Sequence, residues 1–349
     1  MALTRLSLSG LIFKSSTPAV PEPIAAPTPV REPVVLHASA PPSSVLHALN
    51  DINKRLEQVL LDLRTESYAD VQLRQVAMDL VAAVDLDPDI ALAAIFLNQI
   101  AGLYAVRHCV ETAVVAVIIA HAMGKPAQEV LTIAAAALTM NVGMVRQTEN
   151  FQCKDCALSS EERAMVRRHP IESVDMLRDA GITDQEWIDY VLLHHEVDDG
   201  SGYPEGRSGE EIPPNAKLIG LADRYCAYVS ARNYRRSLLP HLALNKLCQD
   251  SDAPLDTALA NCFVEYIGQY PPGSLVRMKN GEVGVVSHRR DVHGALEVHA
   301  LRDASGKPMP APAIRLTDAE GCGIDEALHE DQAGVRFTMK NIWGERASL

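Results

Sequence analysis

Aromatic residues are scarce in this chain: Phe, Trp and Tyr make up 5% of its 349 residues, although 47% are hydrophobic. A core short of rings must be built from Ala, Leu, Val and Ile, which suits closely packed helices. Positive charge is also short, with 32 Lys and Arg against 45 Asp and Glu. The resulting formal charge of -13 excludes a general DNA-binding or anionic-membrane surface, but not a local basic pocket. No apolar run approaches the roughly 18 residues of a membrane span; the longest, Ala113 to Ala120, stops at His121. Leu6 to Phe13 is too short and too poorly flanked for a signal peptide, so a cytoplasmic protein is expected and its seven cysteines read as thiols. Cys153 and Cys156 have the spacing of a zinc or redox half-site, but the sequence holds no second such pair, and they read as incidental thiols in a loop.

Proline is abundant in one place. Pro18, Pro21, Pro23, Pro27, Pro29, Pro33, Pro41 and Pro42 alternate with Ala, Val and Ser, a composition that has little to bury and predicts an unstructured arm or tether. Beyond it the patterning is helical. Leu49, Ile52, Leu56, Val59, Leu60 and Leu63 recur at three and four residues, the spacing of an amphipathic helix. Its apolar seam, at roughly two heptads, favours packing within the chain over a homodimer. Asp87-Pro88 reads as an N-cap and first helical residue, opening a helix to about Gln99. A long apolar helix follows from Tyr104 to near Gly124, and Pro126 opens another. Ser159 with Glu162, and Thr183 with Glu186, have capping-box spacing, and Ala216 to Val229 is again helical in pattern. From Tyr270 the texture changes to short β-rich runs, Ser274 to Met278 and Glu282 to Ser287, joined by a Lys279-Asn280-Gly281 turn, with Val292 to Leu301 as a third strand and a β region reaching about residue 318.

The densest chemistry is His194-His195-Glu196-Val197-Asp198-Asp199-Gly200-Ser201-Gly202-Tyr203-Pro204. Paired histidines at a helix end are often surface or capping residues, and Asp-Gly-Ser-Gly is ordinary turn chemistry. Together they set metal-binding groups beside a loop that needs special backbone angles.

This stretch resembles the His-His-Glu-x-x-Asp-Gly-x-Gly-Tyr-Pro signature of the HD-GYP family, with every fixed position present, and the resemblance extends over roughly residues 95 to 290. It implies a mainly α fold: an HD-type helical bundle with an N-terminal helical segment and a small C-terminal β appendage. The expected organisation is an arm at 1–45, a helical segment at 46–95, the HD-GYP-like domain at 96–269 and the β appendage and tail at 270–349. The family's members are bacterial metal-dependent phosphohydrolases acting on cyclic di-GMP. By the resemblance, His108, His169, His194, His195 and Asp223 match metal ligands, while Gly202, Tyr203, Pro204, Arg232 and Arg235 match the ligand-binding side.

One corner of that pattern is missing. Where the family has its His-Asp dyad followed by Gly-Lys, this chain reads Met140-Asn141-Val142-Gly143-Met144, and Tyr104 stands where some members have a further Glu ligand. A thioether is a soft ligand, and a neutral amide cannot bridge two cations as a carboxylate does. At most one divalent ion of iron or manganese type is therefore expected, and hydrolysis should be impaired. The resemblance then implies a cyclic di-GMP sensor or a scaffold for partners of diguanylate cyclase type, with a working phosphodiesterase built on an atypical centre as the alternative.

Overall fold

The computed structural model describes residues 43–65, 68–151, 159–230, 236–249, 256–290 and 294–349. The proline-rich arm, the Cys153 and Cys156 pair, Arg232 and Arg235 fall outside these residues.

Helix α1 (Val45–Asp62) starts where the Ser44 side chain accepts the His47 amide at 3.2 Å, and the apolar stripe read from the sequence is its buried face. α2 (Ala69–Leu86) packs along it, and α3 (Pro88–Phe96) opens with the Asp87 carboxylate accepting the Ile90 amide at 3.2 Å. α4 (Tyr104–Ala122) is the central rod, buried on nearly every face from Ala105 to Ala120, and packs on α5 (Ala127–Thr139) and α9 (Pro214–Val229). The Ala134–Ala137 run lets α5 lie close to it. By length and composition α4 and the stretch Ala127–Thr148 could each cross a membrane, although neither is an uninterrupted apolar run. Their most apolar windows are 83% and 78% buried inside the protein, so both are core helices.

After a 3₁₀ turn at Val142–Met144 come α6 (Val145–Phe151) and α7 (Ser160–Asp179), the latter opening with the expected capping box of Ser159 and Glu162. α8 (Gln185–Leu193) corrects the sequence reading: its N-cap is Asp184, not Thr183. The Asp184 carboxylate accepts the Trp187 amide at 3.2 Å and is itself held by Arg74 at 3.3 Å, a charged acceptor with a cationic partner that a threonine hydroxyl would lack. α10 (Pro240–Gln249) and α11 (Thr257–Tyr266) complete the helical part.

The C-terminal sheet is larger than expected. β1 (Leu275–Met278), β2 (Val283–Arg289), β3 (Leu296–Arg302), β4 (Pro308–Leu316) and β5 (Ile324–Leu328) form an antiparallel sheet in the order β4-β3-β2-β1-β5. The hairpin at Lys279–Gly281 is as read, with Gly281 at φ 86°. The sheet runs past residue 318 because β5 returns to pair with β1, a non-local pairing with no turn signature. β4 carries Pro308, Pro310 and Pro312, which an edge strand tolerates because one side of its backbone needs no ladder donor. Short helices α12 (Glu330–Ala333) and α13 (Met339–Trp343) follow. The tail then straps the fold: Trp343 Nε1 donates to the Ser287 carbonyl at 3.0 Å, and Ser44 Oγ donates to the Ser348 carbonyl at 2.6 Å.

Candidate metal centre

The histidine positions converge because of how three helices meet. His169 lies on α7 immediately before Pro170, which has no amide hydrogen and so leaves the carbonyl four residues back, that of Val166, without a helical donor. His169 fills that gap: its Nδ1 donates to the Val166 oxygen at 2.6 Å. His194 caps the C-terminus of α8, where the last carbonyls also lack helical partners, and its Nδ1 donates to the Val191 oxygen at 2.7 Å. A carbonyl can only accept, so both rings carry their hydrogen on Nδ1 and their Nε2 atoms are bare. These two Nε2 atoms face each other at 3.4 Å.

His195 completes the cluster, with its ring centroid 4.0 Å from that of His194 and 5.0 Å from that of His169. One ligand nitrogen from each of the three rings lies within 4.8 Å of the others. Burial, then the proximity of His194, pushes the His169 pKa down to about 3. Burial likewise lowers the pKa of His194 and lowers that of His195 well below the usual imidazole value. Three neutral imidazoles with converging lone pairs repel one another unless something electrophilic sits among them. Backbone carbonyls holding the far nitrogens are the usual outer support of metal-bound histidine. The residues present therefore fit one divalent cation.

His108, on α4, and Asp223, on α9, meet each other rather than joining that trio: His108 Nε2 lies 2.7 Å from Asp223 Oδ1. Burial alone would raise the Asp223 pKa, but the hydrogen bond from His108 and the electrostatic influence of the surrounding histidine rings hold it below the ordinary carboxylate range. The Asp223 carboxylate in turn acts electrostatically on all three clustered imidazoles, which makes the two groups neighbours.

The Gly-Tyr-Pro loop is fastened to this cluster by close backbone approach. A Cβ at Gly202 would sit 2.5 Å from the Glu196 Cα and 2.6 Å from the His195 oxygen, and the Tyr203 amide donates to that oxygen at 3.2 Å. The Tyr203 ring stacks on His195 with centroids 4.6 Å apart. Glu196, to which the sequence reading assigned no role, clamps the far side of the loop: its Oε1 accepts the amides of Glu205 at 2.7 Å and Gly206 at 3.0 Å. One oxygen of Glu196 is therefore committed to loop shape, while its Oε2 is buried without a hydrogen-bond partner. Helix α9 closes on the same turn at Gly220, where a Cβ would lie 2.0 Å from the His194 carbonyl oxygen.

The Met140-Asn141 corner is core in character. Met140 is fully buried in the hydrophobic cluster, and Asn141 is 4% exposed with an Oδ1 that has no hydrogen-bond partner. Burial pushes the neighbouring Cys109 thiol up to about 12, which keeps it protonated and unsuited to metal. The segment is held in place by Ser173, whose Oγ accepts the Gly143 amide at 3.0 Å and donates to the Met140 carbonyl at 2.9 Å. Tyr104 stacks on His108 with ring planes 8° apart. Glu111, one turn beyond His108, was also missed by the sequence reading; it is buried, receives the Ser230 hydroxyl and lies 3.4 Å from Arg107. A lone Glu inside an apolar helix carries no motif by which to find it.

Residues 94–259 match the family model described as HD domain. The chain is 30% identical over 183 residues to a cyclic di-GMP phosphodiesterase of Pseudomonas aeruginosa, covering 52% of this chain and 44% of that protein. It is 24% identical over 183 residues to a cyclic di-GMP phosphodiesterase of Borreliella burgdorferi, covering 52% and 48%. The chain thus spans about half the length of the curated relatives it matches. A solved HDG"Y"P protein from Bdellovibrio bacteriovorus superposes with a TM-score of 0.51 at 17% identity, over 62% of this chain and 68% of that one, a likeness of fold alone.

Proposed function

We propose, taking as premise that this chain carries an HD domain with HD-GYP relatives, that it is a cyclic di-GMP-binding signalling protein whose hydrolytic centre is impaired. The observation that carries this reading is the contrast within one site: three neutral, converging imidazoles stand beside a dyad position occupied by buried Met140 and Asn141. His169, His194 and His195 would hold a single ion of iron or manganese type, with His108 and Asp223 paired behind them. When bound, such a cation supplies Lewis-acid polarisation of a phosphoryl oxygen. The chain's own residues do the rest of the binding: Glu196 shapes the loop, Tyr203 walls the imidazoles, and Gly202 and Pro204 set the backbone that meets the ligand. Arg232 and Arg235 are proposed phosphate contacts on the strength of the family resemblance, a role to which guanidinium geometry is suited. Without the dyad's imidazole and anionic oxygen nothing compensates the repulsion of a second cation, and the two-ion clamp on attacking and leaving oxygens cannot form. A cytoplasmic location, with protein partners of diguanylate cyclase type, completes the proposal.

The second reading, an active phosphodiesterase on an atypical centre, is favoured by the completeness of the imidazole trio. One preparation distinguishes the two. Full-length protein purified without an affinity metal should contain at most about one transition-metal ion per chain by elemental analysis. It should bind cyclic di-GMP by calorimetry and release no linear dinucleotide. Turnover that disappears in His195→Ala would replace the first reading with the second.

A further inference from the structure

Two imidazoles of the cluster are oriented by backbone: the Val166 and Val191 carbonyls hold the Nδ1 atoms of His169 and His194 at 2.6 and 2.7 Å. His195 has no such support. Among the described residues no hydrogen bond reaches either of its ring nitrogens. Its imidazole neighbours cannot supply one, because His169 and His194 turn only bare Nε2 atoms toward the cluster. What lies against His195 is the Tyr203 ring, with centroids 4.6 Å apart and planes 26° apart. Tyr203 is in turn gripped by Arg167. The guanidinium carbon of Arg167 stands over the Tyr203 ring, 4.8 Å from its centre, and a guanidinium nitrogen donates to the carbonyl of Gly202, one residue earlier, at 3.4 Å. A cation over an aromatic face is attracted by the negative face of the ring quadrupole. Arg167 lies on α7 two residues before His169, so the helix that supplies one imidazole also carries the side chain that holds the loop over another.

We propose that Arg167 is the positioning residue for His195: it acts through the Tyr203 ring, which it holds against the imidazole, and so sets the direction of the His195 nitrogens toward a bound cation. The inference rests on the proposed function only where it takes the cluster as a cation site; the contacts from Arg167 to Tyr203 and from Tyr203 to His195 stand without metal. Direct action of the charge on the cluster has the opposite sign. A guanidinium near the imidazoles repels a cation, so by that route its removal would tighten metal binding.

NMR on the metal-free full chain with labelled histidine tests the first step, with the His195 signals identified by their absence in His195→Gln. A ring stacked on an imidazole shields its protons, so wild-type His195 should resonate upfield of an exposed histidine. Arg167→Gln should move those signals toward the exposed position while His169 and His194 stay in place on their carbonyls, and Arg167→Lys should keep part of the shift. Titration of the same proteins with cobalt(II) tests the second step. Arg167→Gln should weaken cobalt binding roughly 3- to 10-fold, the size of a partly desolvated cation–π contact, and should add nothing once Tyr203→Leu has removed the ring. Arg167 is exposed, so its replacement leaves the core untouched. His195 signals that do not move in Arg167→Gln would overturn the inference, as would tighter cobalt binding or an undiminished effect in the Tyr203→Leu background. A shift lost in Arg167→Gln, in a protein that binds no cobalt, would support the positioning role and overturn the cation site.

Discussion

The two sides of the centre have followed opposite physical rules. On the α7–α8 side the imidazoles are directed by backbone: Val166 and Val191 carbonyls fix the tautomers of His169 and His194, and the loop backbone is pressed against His195. On the α5 side Met140, Asn141 and Cys109 pack as interior residues, with an amide oxygen left without a partner. The orientation of the clustered imidazoles is therefore a property of helix ends and turns, not of the side chains packed on the α5 side.

The contrast can be broken most directly by giving the α5 side ligand groups of its own. Met140→His with Asn141→Asp should raise metal content from at most one toward about two ions per chain, since the added imidazole and carboxylate supply the missing bridge. Without metal the same variant should lose about 3–5 kcal/mol in denaturant unfolding, because a carboxylate would replace an amide that is 4% exposed. Metal content that does not change would show that the Met140-Asn141 corner is not what limits the centre.

The opposite side is challenged through its backbone. Gly220→Ala drives a Cβ against the His194 carbonyl oxygen at 2.0 Å and should cost about 3 kcal/mol of stability, with loss of bound metal as α9 shifts from the α8 turn. A variant with native midpoint and native metal would mean that the close approach is dispensable.

The smallest effect concerns a histidine outside the centre. The hydrogen bond that His288 donates to Asp89, then the charges of Asp89, Asp87 and Glu297, raise the His288 pKa against the pull of burial, the reverse of what happens to the clustered imidazoles; Arg289 also approaches Asp89, at 3.8 Å. A raised folded-state pKa contributes stability that is fully present below the unfolded value of 6.5 and is lost as pH rises through the folded value. With the His288 side chain 37% exposed, screening keeps the contribution below about 1 kcal/mol. Asp89→Asn should flatten this part of the stability profile as pH rises above 6.5 in urea unfolding, and an unaltered profile would remove His288 as its source.

Local order was legible before the structure was. The amphipathic stripe of α1, the Asp87-Pro88 start of α3, the capping box of α7 and the Lys279–Gly281 hairpin each depend on neighbours a few residues away, and each appears as read. That Met140 and Asn141 offer no imidazole or carboxylate was equally visible, because side-chain chemistry is written in the sequence. Only the tertiary structure decided that His169, His194 and His195 cluster while His108 turns to Asp223, that Glu196 shapes the loop, and that β5 closes on β1. Those outcomes depend on distances between segments tens of residues apart, which helix packing and strand return set and which no local pattern encodes.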